Sequence, residues 1–176
     1  MPAITPKVAL EEAGRLLERA RRRRLRSGRP LALELVYLPH WLVVYEALEA
    51  ESAERMNSDG QLAILVCRLS GQAAHIRLQD VNLAPGPEPL PPARDPAEAE
   101  ERAADFAGRV LLMAARGKRR RERGRLLRSE PCGYPYWVEY VERGRSLDFQ
   151  AVDAVSGKRA GAAVRSAIVH GITAGR

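Results

Sequence analysis

The chain has 176 residues, of which 45% are apolar and 29% are charged. This length suits one domain or two small packed units, and no apolar stretch approaches the roughly 18 residues that cross a membrane. The net charge is +7. Residues 1–7 do not have the charged and then apolar pattern of a secretory signal peptide, so we expect a cytoplasmic protein.

The positive charge is concentrated in two short stretches. Residues 15–29, the first basic segment, contain eight arginines and one glutamate, and residues 116–128, the second basic segment, contain eight basic residues and one glutamate. The two segments together carry +14, so the rest of the chain carries −7. This asymmetry indicates an anionic partner, or a second copy of the chain that presents its own acidic surface.

The first half predicts a helix followed by a strand hairpin. The helix is expected to begin at Thr5-Pro6, a hydroxyl N-cap followed by proline at the first helical position. Residues 31–48 predict one long strand, bent or bulged at Pro39, and residues 62–69 predict its partner, which turns at Ser70-Gly71. The apolar face of the helix is formed by Leu10, Ala13, Leu17 and Ala20.

A proline-rich linker, residues 83–95, is expected to be extended and to cross to the second half. A second helix is predicted there, with Asp95 as its N-cap and Glu98 at its third position. Its apolar face comprises Ala99, Ala103, Phe106, Val110, Met113 and Ala114. Residues 72–81 are expected to add a strand to the first half.

The end of the chain predicts a second hairpin and a closing helix. Residues 136–142 and 147–155 predict the two strands, joined by the turn at residues 143–146. Residues 160–170 predict either a strand or a closing helix, and we favour the helix. The first strand has Trp137, Glu139 and Val141 on one face and Tyr136, Val138 and Tyr140 on the other. Because both faces are partly apolar, we expect the sheet to be covered on both sides.

Four blocks of sequence occur twice in the same order, which predicts an internal duplication. The matching pairs are residues 13–17 and 107–111, 24–30 and 125–131, 39–41 and 135–137, and 66–71 and 152–157. A single helix over a short hairpin has a thin core. We therefore predict an α+β fold in which two units, residues 1–82 and 96–176, share one antiparallel sheet with pseudo-two-fold symmetry, in one compact domain.

The second hairpin resembles that of PepSY-type domains. Those domains pair a helix with one strand that reads Tyr-x-Val and a second strand that ends in Val-Asp-Ala-x-x-Gly. Here the matching residues are Tyr136-Trp137-Val138 and Val152-Asp153-Ala154-Val155-Ser156-Gly157. The resemblance implies a helix-plus-hairpin fold and a binding or regulatory module rather than an enzyme.

The two basic segments are the main candidate binding site. Guanidinium groups match the geometry of phosphate, and the release of counterions drives binding to a polyanion. We predict a polyanion site, with nucleic acid as the expected partner, formed by Arg19, Arg21, Arg22, Arg23, Arg24, Arg26, Lys118, Arg119, Arg120, Arg121, Arg123 and Arg125. The sequence has no nucleic-acid-binding motif, so binding would depend little on base sequence.

Two alternatives to this site stay open. The arginine runs are also typical of solvated helix ends, or they could contact an acidic protein or another copy of the chain in an assembly. Trp41 and Trp137 hold equivalent places beside the basic segments. They would form a stacking platform for bases if exposed, or close two equivalent small cores, which is the interpretation that we favour.

The sequence does not predict a catalytic or metal site. The histidines His40, His75 and His170 do not have the spacing of metal ligands. Cys67 and Cys132 form no Cys-x-x-Cys pair, so we expect reduced thiols. We therefore expect a non-enzymatic protein without a cofactor.

Overall fold

The computed structural model describes residues 1–22, 28–46, 60–114 and 125–174. In these residues the fold is α+β, as predicted, with three α-helices and seven strands in one curled sheet. The helices are α1 (Leu10–Arg22), α2 (Pro96–Ala114) and α3 (Ala162–Ala174). The strands are β1 (Pro2–Ile4), β2 (Arg29–Glu46), β3 (Gln61–Cys67), β4 (Ala73–Ile76), β5 (Leu83–Pro85), β6 (Arg125–Arg143) and β7 (Ser146–Asp153).

Two long strands, β2 and β6, form the central ribbon of the sheet. They pair antiparallel from end to end, with Arg29 opposite Glu142 and Glu46 opposite Arg125. Strand β3 pairs with the last part of β2, and β7 pairs with the last part of β6. Since β2 and β6 run in opposite directions, the two hairpins extend from opposite ends of the ribbon. Strand β4 continues the sheet beyond β3, and on the other side β1 pairs with β6 and β5 pairs with β1. Because β1 runs parallel to β6, the prediction of a purely antiparallel sheet is wrong at this edge.

Each of the first two helices covers the hairpin of the other half of the chain. Helix α1 packs on β6 and β7, where Leu17 meets Val152 in one apolar cluster. Helix α2 packs on β2 and β3, where Ala103 meets Ile64. Helix α3 lies on the opposite face, where Ile168 joins the largest cluster. The sheet is therefore covered on both faces, as predicted, and none of the described helices is long and apolar enough to cross a membrane.

The start of the first helix was predicted wrongly. Helix α1 begins at Leu10 rather than at Thr5-Pro6. The backbone nitrogen and the hydroxyl of Thr5 both donate to the carbonyl of Asn82, at 2.9 and 3.1 Å, so this residue joins the end of β1 to the residue before β5 instead of capping a helix. Ala13, Leu17 and Ala20 are buried as predicted, whereas Leu10 is 52% exposed.

The predicted bulge at Pro39 is also wrong. The pairing of β2 with β6 is unbroken around Pro39, and its two irregularities lie near Pro30 and Val44. The carbonyl of Pro39 points to the outer edge of β2 and accepts the backbone N–H of Arg68 at 2.8 Å. Because the missing N–H of Pro39 belongs to this outer edge, where β3 has already ended, the strand passes through proline without a bulge.

Strand β6 begins 11 residues before its predicted start at residue 136. Arg125, the last predicted polyanion-binding residue, is therefore part of a strand, and the basic character of this stretch concealed the strand signal. The predicted strand at residues 72–81 is reduced to β4 and a short 3₁₀ turn, Leu78–Asp80. The predicted cap of α2 and the closing helix are confirmed, since the Asp95 carboxylate accepts the N–H of Glu98 at 2.8 Å and α3 is helical.

Candidate functional site

The structure describes only part of each basic segment. In the first segment, Arg15, Arg19, Arg21 and Arg22 lie in α1, and Arg29 begins β2. In the second segment, Arg125 and Arg128 lie in β6. The other predicted polyanion-binding residues lie outside the described residues: Arg23, Arg24, Arg26, Lys118, Arg119, Arg120, Arg121 and Arg123.

The two segments join the central ribbon at opposite ends. Arg29 is the first residue of β2, whereas Arg125 pairs with Glu46, its last residue. Strand β2 has 18 residues, and at about 3.3 Å per residue its contour is about 56 Å. The described ends of the two segments therefore meet the ribbon at opposite ends of β2.

Arg21 is bound to a buried carboxylate. Its guanidinium donates to Glu139 at 3.1 Å, and the other carboxylate oxygen of Glu139 accepts the Gln150 amide at 2.7 Å. Glu139 is 7% exposed and Gln150 is 8% exposed. The same Gln150 amide also donates to the carbonyl of Leu17 in α1, at 3.3 Å. Arg21 therefore compensates a buried charge and fixes the last turn of α1 to the sheet.

The other described arginines of α1 lie at the surface. Arg15, Arg19 and Arg22 are exposed, and Arg22 forms an ion pair with Glu18 at 2.6 Å. Exposed pairs of this kind contribute only about 0.5 kcal/mol, so an anionic ligand can compete for Arg22. At the other end of the ribbon, Arg125 and Arg128 are exposed, and Arg128 pairs with Glu130.

The two tryptophans are half-buried between the sheet and the helices. Trp41 packs with the α2 cluster and donates its indole N–H to Ser129 at 2.8 Å, and Ser129 donates in turn to Glu100 at 2.6 Å. Trp137 packs with the α1 cluster and donates to the carbonyl of Val8 at 2.8 Å. Each indole ring therefore packs against the apolar cluster under one helix, and its N–H donates a hydrogen bond.

A row of polar residues lies on the opposite face of the sheet. His40 is opposite Cys67 on one side and Cys132 on the other, and both cysteines are free thiols, as predicted. The Tyr134 hydroxyl donates to Asp153 at 2.9 Å. Among the described residues, no three potential ligands converge as they would around a metal ion.

Burial keeps three groups of this row uncharged: His40, Cys132 and Tyr134. It lowers the pKa of His40 to about 4 and, helped by the nearby Glu130, raises the pKa of Cys132 to about 12. It also raises the pKa of Tyr134, with Asp153 acting in the same direction. The row is thus a buried hydrogen-bonded part of the core in which His40 is neutral and Cys132 is a thiol.

The sequence did not predict a cleft that opens beside α3. Its volume is about 490 Å³, and it lies between the turn after β3, linker residues Ala93-Arg94 and the face of α3 that carries Ser166 and His170. No motif marks this cleft, because its residues come from three separate parts of the chain.

Comparison of the chain with protein-family models, with curated proteins and with solved structures found no match.

Proposed function

We propose that this protein is a non-enzymatic binding module that engages an extended polyanion, nucleic acid, through the two basic segments. The observation that carries the proposal is the distribution of charge: +14 lies in two short segments of a chain whose remainder carries −7. Both segments adjoin rigid elements, and they join the central ribbon at opposite ends. An extended anion would contact both segments, whereas a compact one would contact only one.

The described residues support the first segment as a fixed contact. The bond from Arg21 to Glu139 ties the end of α1 to β6, and this bond leaves Arg19 and Arg22 exposed on the outer side of the helix. In the second segment, the pairing of Arg125 with Glu46 fixes where the segment meets the sheet. Phosphates along a duplex would then meet guanidinium groups at defined positions.

The length of the ribbon sets the size of the partner. A contour of about 56 Å corresponds to about 16 base pairs of B-form DNA at 3.4 Å per pair. Because the sheet is curled, the direct distance between the segments is shorter than this contour. We therefore expect duplexes of roughly 8 base pairs to reach one segment and duplexes of 20 or more to reach both.

A series of duplex lengths tests this proposal. Affinity should rise sharply between roughly 8 and 20 base pairs. This rise should vanish when either segment is neutralised. In the first segment the variant changes Arg22, Arg23 and Arg24 to Gln, and in the second it changes Arg119, Arg120 and Arg121 to Gln. The control neutralises two exposed basic residues outside both segments, Arg145→Gln and Lys158→Gln, and its effect is compared per charge removed. Equal affinity for both lengths, or equal loss in the control, would contradict the two-ended arrangement.

We further propose that the chain is an internal duplication whose pseudo-two-fold axis passes between Leu38 and Tyr134, an opposed pair in the central ribbon. Matching hydrogen bonds support this: Arg68 N–H donates to Pro39 as Ala154 N–H donates to Pro135. The two turn glycines match as well, with φ of 72° at Gly71 and 70° at Gly157. Superposition of the halves in an experimental structure should require a rotation near 180°, and poor overlap of these turns would exclude the duplication.

One observation favours assembly with a second copy as an alternative function. The carbonyls of Tyr37 and Pro39 mark the outer edge of β2, and there they accept N–H groups of the linker and of Arg68. On the same edge, Leu33 and Leu35 have no backbone partner among the described residues. A strand from another copy would satisfy them. Light scattering should then give twice the chain mass, and a monomer at all concentrations would exclude this alternative.

A further inference from the structure

The cleft beside α3 combines an apolar floor with a polar wall. Leu69 and Ala167 contribute apolar surface. The polar lining is formed by Ser70, Gln72, Arg94, Ser166 and His170. Its volume of about 490 Å³ falls in the range of small-molecule sites, which is about 300–1,000 Å³. None of these residues belongs to the basic segments, so the cleft is separate from the proposed polyanion site.

Positive charge is in excess around Arg94, the arginine that lines this cleft. The carboxylate of Glu98 is shared by two guanidinium groups, since it accepts from Arg94 and also from Arg102 at 3.0 and 3.1 Å. A third guanidinium, that of Arg68, donates to the carbonyl of Arg94 at 2.9 Å. The neighbouring Asp95 is already the helix cap of α2. Among the described residues, Arg94 and Arg102 share the carboxylate of Glu98, while the Arg68 guanidinium lies over the Trp41 ring at 5.5 Å. The buried Nε of Arg94 has no hydrogen-bond partner in this part of the chain.

A glycine makes room for these arginines. Gly71 has a φ of 72°, and a Cβ atom there would lie 2.9 Å from Nε of Arg94 and 3.0 Å from Cζ of Arg102. At the similar turn of the second hairpin, a Cβ on Gly157 would meet the apolar side chains of Leu16 and Val8, at 3.6 and 3.8 Å. The turn at Gly71 is therefore packed against guanidinium groups, and Arg102 also donates to the Gly71 carbonyl at 3.4 Å.

We propose that this cleft binds a small anion, the phosphate or carboxylate group of a metabolite-sized ligand. Arg94 is its main cationic contact, because it lines the cleft and, in the described ranges, shares the one carboxylate that it binds, that of Glu98, with Arg102. Ser70, Ser166 and His170 supply hydrogen-bonding groups around the anion. The apolar floor holds the rest of the ligand.

Nuclear magnetic resonance titration of the full chain tests this inference. Inorganic phosphate and acetate serve as separate probes, with sodium chloride at matched ionic strength as the reference. We expect saturable shifts of the backbone amides of Ser70, Gln72, Ser166 and His170 with at least one probe. The probe that binds with the higher affinity shows whether the site prefers a phosphate or a carboxylate ligand. The absence of saturable shifts with both probes, or the same shifts with chloride, would overturn the proposal.

Variants locate the anion and separate this site from the polyanion site. Arg94→Gln should weaken binding at least about tenfold, and Arg94→Lys should weaken it less, because lysine keeps the charge but not the fork. Ser166→Ala and His170→Ala, at exposed positions of α3, should weaken binding without disturbing the ion pairs. Neutralising Arg119, Arg120 and Arg121 should leave the cleft shifts unchanged. Shifts that persist in Arg94→Gln and in both α3 variants, or that vanish with the second basic segment, would assign the anion elsewhere.

Discussion

At the scale of single residues, Arg21 and Arg19 differ although they are two positions apart on α1. Arg21 compensates the buried Glu139, whereas Arg19 is exposed. Arg21→Gln leaves that carboxylate buried without its cation, so we expect a loss of about 3 kcal/mol in unfolding free energy. Arg19→Gln is the matched control and should change it by less than about 0.5 kcal/mol. Urea unfolding measures both, and equal losses would contradict the buried role of Arg21.

His40 should make the stability of the protein depend on pH. Burial lowers its pKa from the ordinary value of 6.5 to about 4. The unfolded chain therefore takes up a proton at a higher pH than the folded protein does. The contribution of the neutral His40 to the unfolding free energy is fully present above pH 6.5. It falls by about 3 kcal/mol as the pH falls toward 4.

A pair of histidine variants tests this dependence. In urea unfolding at a series of pH values, His40→Gln should flatten the slope of stability between pH 4 and 6.5, because glutamine does not titrate. His170→Gln, at an exposed position, is the matched histidine control, and the difference between the slopes of the two variants reports on His40. An unchanged slope in His40→Gln would show that other groups carry the dependence.

At the scale of elements, the cap of α2 is a local signal that the fold retains. Asp95 accepts the N–H of Glu98 at 2.8 Å, so Asp95→Ala should lower the unfolding free energy by about 1 kcal/mol. Asp95→Asn preserves the acceptor and should cost only a few tenths of a kcal/mol. Thermal unfolding compares the two variants, and equal losses would mean that charge rather than capping stabilises this end.

Elements with local signals were predictable from the sequence, and those determined by distant partners were not. The Asp95-Pro96 start of α2 was predicted correctly, whereas the similar Thr5-Pro6 signal failed because Asn82, far along the chain, binds Thr5. The first part of β6 was missed because its arginines and prolines are untypical of a strand, and it is held by pairing with β2. The cleft beside α3 could not be predicted either, since three remote stretches meet there.

At the scale of the whole molecule, the crossed packing of the helices links the two halves. Helix α1 of the first half buries Leu17 against the second hairpin, and α2 covers the first hairpin. Leu17→Ala should cost about 3 kcal/mol. The same loss of unfolding free energy should be measured from the fluorescence of either tryptophan. Trp137 packs beside Leu17, and Trp41 packs under α2.

Variants with a single tryptophan separate the two fluorescence signals. With Trp137→Phe, fluorescence follows Trp41 alone, and with Trp41→Phe it follows Trp137 alone. If the molecule unfolds as one unit, Leu17→Ala shifts both midpoints by the same amount. A shift confined to the Trp137 signal would mean that the halves unfold separately.

The charge distribution makes one measurement decisive for the proposed function. The nuclease-treated protein is titrated with a labelled 30-base-pair duplex in a series of salt concentrations. We expect binding at about 0.15 M salt and a linear fall of log affinity with log salt, with a slope that counts the phosphates engaged. Neutralising Arg119, Arg120 and Arg121 should make this slope smaller. No binding at about 0.05 M salt, where phosphate contacts are strongest, would contradict a polyanion-binding role.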